Sequence, residues 1–162
     1  MDSQKHSFIS YYEQFKNKIF VYFLYRVNFN REVAEDLSSE VFLKALKSFE
    51  DFEQSRSFQS WIYTIAHNHL VNYYRVAHRE VELTENISSP PNDIKKVELN
   101  YELNLILKKI NSLDKSDREI LLMRFVDELS NTEIAELLGK DEGAVRTKIS
   151  RSLAKLRELL AK

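Results

Sequence analysis

The chain contains no cysteine, only two glycines, two prolines and a single tryptophan. Without cysteine, neither a disulfide framework nor a thiolate-held metal is available. The prolines are the adjacent pair Pro90 and Pro91, and the glycines are Gly139 and Gly143, so each half of the chain runs long stretches without a helix breaker. The longest uninterrupted apolar run, Ile19 to Tyr25, falls far short of the roughly 20 residues that span a bilayer. The start, Met1-Asp2-Ser3-Gln4-Lys5-His6, lacks the basic, apolar and small-residue order of a signal peptide. The expectation is a cytoplasmic protein without membrane insertion. With 162 residues and 43% hydrophobic content, the chain can fill one large or two small cores. An all-α fold follows: two small helical domains joined by a flexible linker, the second ending in a helix-turn-helix.

That ending is the stretch from Ser130 to Leu160. Ser130 and Glu133 have the spacing of a capping box, in which each side chain satisfies an orphan backbone N–H at a helix start. Ile134, Leu137 and Leu138 share a face, and Gly139 stands where a helix end needs left-handed backbone. Asp141 is placed to cap a second helix with apolar positions at Val145, Ile149, Leu153, Leu156 and Leu160. Between them lie Arg146, Thr147, Lys148, Ser150, Arg151, Lys155 and Arg157, with no carboxylate from Arg146 to Arg157. Two helices joined by a tight glycine turn, the second basic and outward-facing, is the arrangement that lays a recognition helix in a DNA major groove. An ordinary helical hairpin with a solvated basic face has the same pattern.

The N-terminal half begins with an aromatic stripe, Phe8, Tyr11, Tyr12, Phe15, Ile19, Phe20 and Phe23, at helical spacing from about Ser7 to Val27. Such a stripe reads as packing. After the Asn28-Phe29-Asn30 break, Asn30 caps a helix from about Arg31 to Phe49 with a core face of Val33, Ala34, Leu37, Val41, Ala45 and Leu46. Asp36, Glu40, Leu43 and Lys47 form a second stripe. Like charges four apart, at Asp36 and Glu40, cost an isolated helix a few tenths of a kcal/mol. With an apolar Leu43 in the same stripe, they read as a docking surface for a basic partner.

The segment Glu50 to Ser57 is polar and reads as a loop. A helix from Ser57 or Phe58 to about His78 follows, with Ile62, Ile65, Ala66, Leu70, Tyr73 and Ala77 inward. Thr64, His67, Asn68, Val71, Asn72, Arg75 and Arg79 face mostly away. Amides, a hydroxyl and arginines, with Trp61, Tyr63 and Tyr74 nearby, suit stacking and hydrogen bonding to unpaired bases, although a solvated face looks the same. His67 and His69 are two apart, so they point apart and form no helical metal pair; each reads as a polar helix residue. From Glu80 the chain turns acidic and loses its period, which places a linker over 80–97 between domains at 1–79 and 98–162. Val97, Tyr101, Leu105 and Lys108 to Ile110 then lead to Asp114, which caps a helix carrying Ile120, Leu121, Leu122 and Phe125.

The blocks Ala34-Glu35-Asp36-Leu37 with Glu40-Val41-Phe42-Leu43-Lys44-Ala45, Trp61-Ile62-Tyr63-Thr64-Ile65-Ala66-His67-Asn68 with Tyr73-Tyr74-Arg75, and Glu133-Ile134-Ala135 with Val145 to Arg151 stand in a telling order. In them the chain resembles the extracytoplasmic-function group of sigma-70-family RNA polymerase sigma factors, over nearly its whole length. The resemblance implies a transcription initiation factor, with no catalytic residue, metal or cofactor. It implies that Asp36, Ser39, Glu40 and Leu43 dock on the clamp helices of the polymerase largest subunit, and that the C-terminal domain meets the flap. Trp61, Thr64, His67, Asn68, Asn72 and Arg75, with the Glu50 to Ser57 loop, would hold the melted downstream (−10-type) promoter element. Arg146, Thr147, Lys148, Ser150, Arg151 and Lys155 would read the upstream (−35-type) element as duplex. An anti-sigma factor is implied as a further partner. The chain departs from the family pattern at Ser39, His67, Asn72 and Val76, where glutamine, arginine, aspartate and arginine are common; the missing cations imply weaker phosphate contact downstream.

Two other classes fit parts of the pattern. A helix-turn-helix regulator with a ligand-sensing or dimerising N-terminal bundle leaves the Asp36, Glu40 and Leu43 stripe without a role. A nuclease built on Asp36, Glu40 and His67 lacks convergent ligands at defined spacing.

Overall fold

The computed structural model describes residues 2–83 and 101–162. Among the described residues the chain is helical without strands, and it divides into two compact units, Met1–Lys95 and Lys96–Lys162.

The first unit is a three-helix arrangement of α1 (Asp2–Leu24), α2 (Arg31–Ser48) and α3 (Phe58–Leu83), with a short 3-10 turn at Phe49–Asp51. The aromatic stripe of α1 is its centre: Phe15, Ile19, Tyr22 and Phe23 are buried against Ala34, Leu37, Val41 and Ala45 of α2 and Ile62, Tyr63 and Ala66 of α3. Full burial of a side chain such as Ile19 or Phe23 contributes about 1.5–3 kcal/mol. Between α1 and α2 the chain reverses through Asn28 and Phe29, both with positive φ, and Asn30 Oδ1 accepts the backbone N–H of Val33 as the cap of α2.

Three expected positions in this unit differ. Leu46 is half exposed, and Phe42 takes the inward role by packing edge-on against Tyr12 of α1, 4.9 Å between ring centroids. The segment after α2, read as a polar loop, sends Phe52 into an aromatic cluster with Phe49, Phe58 and Trp61. Helix α3 continues past His78 to Leu83, into the segment read as linker, because an acidic sequence without Gly or Pro contains nothing that ends a helix. Val97 and the proline pair lie outside the described residues.

The second unit holds α4 (Tyr101–Asn111), α5 (Lys115–Leu121), a π-helical turn (Leu122–Val126), α6 (Asn131–Leu138) and α7 (Glu142–Ala161). Its core is Leu107, Leu113, Ile120, Leu121, Met123, Leu129, Ile134, Val145 and Ile149. On α4, Tyr101 and Leu105 are exposed, and Leu107 is buried. Phe125, in the π-helical turn, is also exposed. In the π turn, Asp127 N–H donates to Leu122 O at 2.9 Å, five residues back, and the extra residue in the turn shifts the face that Phe125 presents. Asp114 stands at the N-cap of α5 without a side-chain capping bond.

Candidate polymerase and promoter interfaces

The helix-turn-helix forms as its local chemistry requires. Ser130 Oγ accepts the N–H of Glu133 at 3.1 Å, and the Glu133 carboxylate accepts the N–H of Ser130 at 3.3 Å, which completes the capping box. At the other end of α6, Gly139 adopts φ 63°, ending the helix in the left-handed region. Asp141 takes the cap position of α7 through its backbone and makes no side-chain capping bond. Helix α7 packs on α5 and α6 through Val145, Ile149 and Ser152, with Leu153 and Leu156 partly covered and Leu160 exposed.

The candidate DNA-contact residues of α7 fall into three groups. Thr147, Ser150 and Arg151 are exposed. Arg146 is exposed and pairs with Glu142 at 3.0 Å, while Thr132 Oγ1 of α6 donates to the other oxygen of the same carboxylate at 3.3 Å. Lys148 and Lys155, expected on the outward basic face, both turn toward Asp117 of α5, each at 2.7 Å. The sequence offered no pairing signal for Asp117, which lies far from both lysines along the chain and reads there as an ordinary first-turn acid.

On α3, the residues Trp61, Thr64, Asn68, Asn72 and Arg75 recur at spacings of three and four, so they share one face, with His67 beside it. Thr64 and Asn68 are exposed, and Arg75 donates to Asn72 Oδ1 at 2.6 Å, holding the two side chains together at the surface. Trp61 is half-buried, with its ring 4.9 Å from Phe52. A tryptophan braced on one side by rings is a platform for a stacked base on the other. Tyr63 is not available for stacking: it is fully buried, packed edge-on against Tyr22. Tyr74 is half exposed, and its hydroxyl donates to the backbone carbonyl of Arg26.

The acidic stripe of α2 is exposed. Asp36, Ser39, Glu40 and Leu43 all face solvent, and Leu43 is 58% exposed. His69, a plain polar helix position by its sequence, has a tertiary role here. His69 of α3 is buried, with Nδ1 2.9 Å from Lys44 Nζ and Nε2 2.5 Å from Glu40 Oε2.

Two family profiles match in order: Sigma-70 region 2 over residues 11–80 and Sigma-70, region 4 over residues 103–156. The ECF RNA polymerase sigma factor SigW of Bacillus subtilis is 32% identical over 164 residues, covering 90% of this chain and 84% of SigW. The chain belongs to the ECF RNA polymerase sigma factors. YlaC of the same organism, another RNA polymerase sigma factor, is 29% identical over 170 residues, covering 99% of this chain and 94% of YlaC. BldN of Streptomyces coelicolor is 31% identical, and this sigma factor spans 58% of BldN's length. Solved structures share the fold. The sigma factor RpoE in complex with the anti-sigma factor NepR, from Bartonella quintana, matches at TM-score 0.68 and 22% identity over 92% of this chain and 98% of that one. CnrH in complex with the cytosolic domain of CnrY matches at TM-score 0.70 and 22% identity over 97% of this chain and 89% of that one. The region 2 match falls on the bundle that a ligand-sensing regulator would have used, and that alternative is not favoured. Among the described residues no helix is long and apolar enough to cross a membrane.

Proposed function

We propose that this sigma factor binds core RNA polymerase through Asp36, Ser39, Glu40 and Leu43 of α2, with the clamp helices of the largest subunit as the docking site and the flap as the contact of the C-terminal unit. The observation that carries this reading is the exposed stripe of Asp36, Glu40 and Leu43, in which a leucine left 58% exposed stands beside acids inside the region 2 match. Rim acids favour the encounter with a basic partner, and a leucine at their centre supplies apolar burial. Domain limits follow the same reading: region 2 over about 1–79, a linker over 80–97 and region 4 over 98–162.

On this reading the α3 face of Trp61, Thr64, His67, Asn68, Asn72 and Arg75, with the Glu50 to Ser57 loop, holds the melted downstream element. Turning a base out of the stack costs a few kcal/mol, and stacking on a ring such as Trp61 offsets about 1–3 kcal/mol of it. Arg146, Thr147, Ser150 and Arg151 meet the upstream element as duplex. An anti-sigma factor is a further proposed partner, supported by the complexes of RpoE with NepR and of CnrH with CnrY.

The test is run-off transcription from pooled genomic fragments of the source organism by sigma-free core polymerase, with and without this protein. New discrete start sites that vanish with Asp36→Arg are the expected result. Tight duplex binding with no gain in transcription would overturn the reading.

A further inference from the structure

Asp117 of α5 has no solvent exposure, yet three donors from α7 converge on it. Ser152 Oγ donates to Oδ1 at 2.7 Å, Lys148 Nζ lies 2.7 Å from the same oxygen, and Lys155 Nζ donates to Oδ2 at 2.7 Å. Positions 148, 152 and 155 are four and three apart, so they line one stripe across two turns of α7. Both carboxylate oxygens are satisfied by that stripe. The hydrogen bonds from Lys148, Lys155 and Ser152 hold the Asp117 carboxyl far below the usual carboxylate range in spite of its burial, and the same bond raises Lys155. Swinging either lysine out to a phosphate would strip a partner from a buried charge, which is strongly unfavourable.

We propose that Asp117 is a positioning residue for promoter readout: it fixes α7 against α5 and withdraws Lys148 and Lys155 from the DNA contacts, leaving Arg146, Thr147, Ser150 and Arg151 as the reading face. The inference rests on the proposed reading of duplex by α7. It also limits the electrostatic part of binding. Each phosphate neutralised contributes about 0.9 to the slope of log affinity against log salt, so two lysines held inward make that slope shallower than the helix's cation content implies.

The experiment is fluorescence anisotropy of the full chain on a labelled mixed-sequence duplex over a series of NaCl concentrations. Lys148→Met and Lys155→Met are expected to keep the wild-type slope, Arg151→Met to lower it by about 0.9, and Asp117→Asn to steepen it by up to about 0.9 for each lysine released. Because salt slope counts phosphate contacts, a purely structural role for Asp117 would not steepen it. If Asp117→Asn fails to fold by circular dichroism, the two lysine variants decide the matter. A slope for either of them as shallow as that of Arg151→Met overturns the inference while leaving DNA reading by α7 intact. An unchanged slope for Arg151→Met as well places α7 off the duplex and overturns both.

Discussion

His69 donates from Nε2 to Glu40, 2.5 Å away, and accepts at Nδ1 from Lys44, 2.9 Å away. A lysine ammonium has only donors, so Nδ1 must be the unprotonated nitrogen and Nε2 carries the proton. The ring is therefore a strut that ties an exposed acid of α2 to α3. His69→Leu is expected to lower the stability of the first unit by about 1–2 kcal/mol, toward the low end of the roughly 1.5–3 kcal/mol of a hydrogen bond to a charged group because the Glu40 side chain stays half-solvated. It should also weaken assembly with core polymerase, because Glu40 loses its fixed rotamer. Urea unfolding followed by Trp61 fluorescence and competition with the wild type for core polymerase check the two effects; no change in either would show that the strut is incidental.

Leu43 separates docking from folding. It is largely exposed, so Leu43→Ala should change stability by no more than about 0.5 kcal/mol. If it is the apolar centre of the polymerase contact, the same change should cost at least about 1 kcal/mol of binding, a fivefold or greater loss of affinity. Titration of labelled core polymerase measures it, and equal affinity for the two chains would remove Leu43 from the interface.

Helix α6 is held at both ends by local chemistry. Ser130→Ala removes one half of the capping box and should cost about 1 kcal/mol. Gly139→Ala meets no atom within 4 Å at its new Cβ, so its cost is the left-handed backbone alone, about 1 kcal/mol. The two sites share no partner and their costs should add, to about 2 kcal/mol in the double variant. Thermal unfolding tests this, and a double variant no worse than either single one would show the two ends to be coupled.

Acid should loosen α7 from α5 through Asp117. Its carboxyl is depressed in the folded state, so the stability it contributes is fully present above the ordinary value of 3.8 and is lost as pH falls below it toward the folded value. At neutral pH, amide exchange along α7 should be faster in Asp117→Asn than in the wild type. The difference should shrink as pH drops below about 4, because the opened state then takes up a proton that the folded carboxylate, held far below its usual range, still refuses. A difference that stays constant with pH would assign the effect to packing.

What the sequence determined by itself was local. Asn30, Ser130 with Glu133, and Gly139 each act on backbone groups within a turn of themselves, so their residue types were sufficient to place the start of α2 and both ends of α6. The exposed stripe of α2 was likewise legible, because an acid pair and a leucine on one helical face have no intrahelical reason to be there. Tertiary structure decided the rest by bringing together residues that no spacing relates. Asp117 meets Ser152 and Lys155 at separations of 35 and 38 residues, and His69 meets Glu40 at 29. Those contacts changed the meaning of their residues: two lysines of a basic helix became the partners of a buried acid, and a plain helix histidine became a strut. Phe42 and Leu46 show the same dependence for apolar groups. Both lie near the edge of one face of α2, and Phe42 is the one that meets a ring of α1, Tyr12. Burial belongs to whatever packs opposite, and a helical pattern specifies one side of that contact.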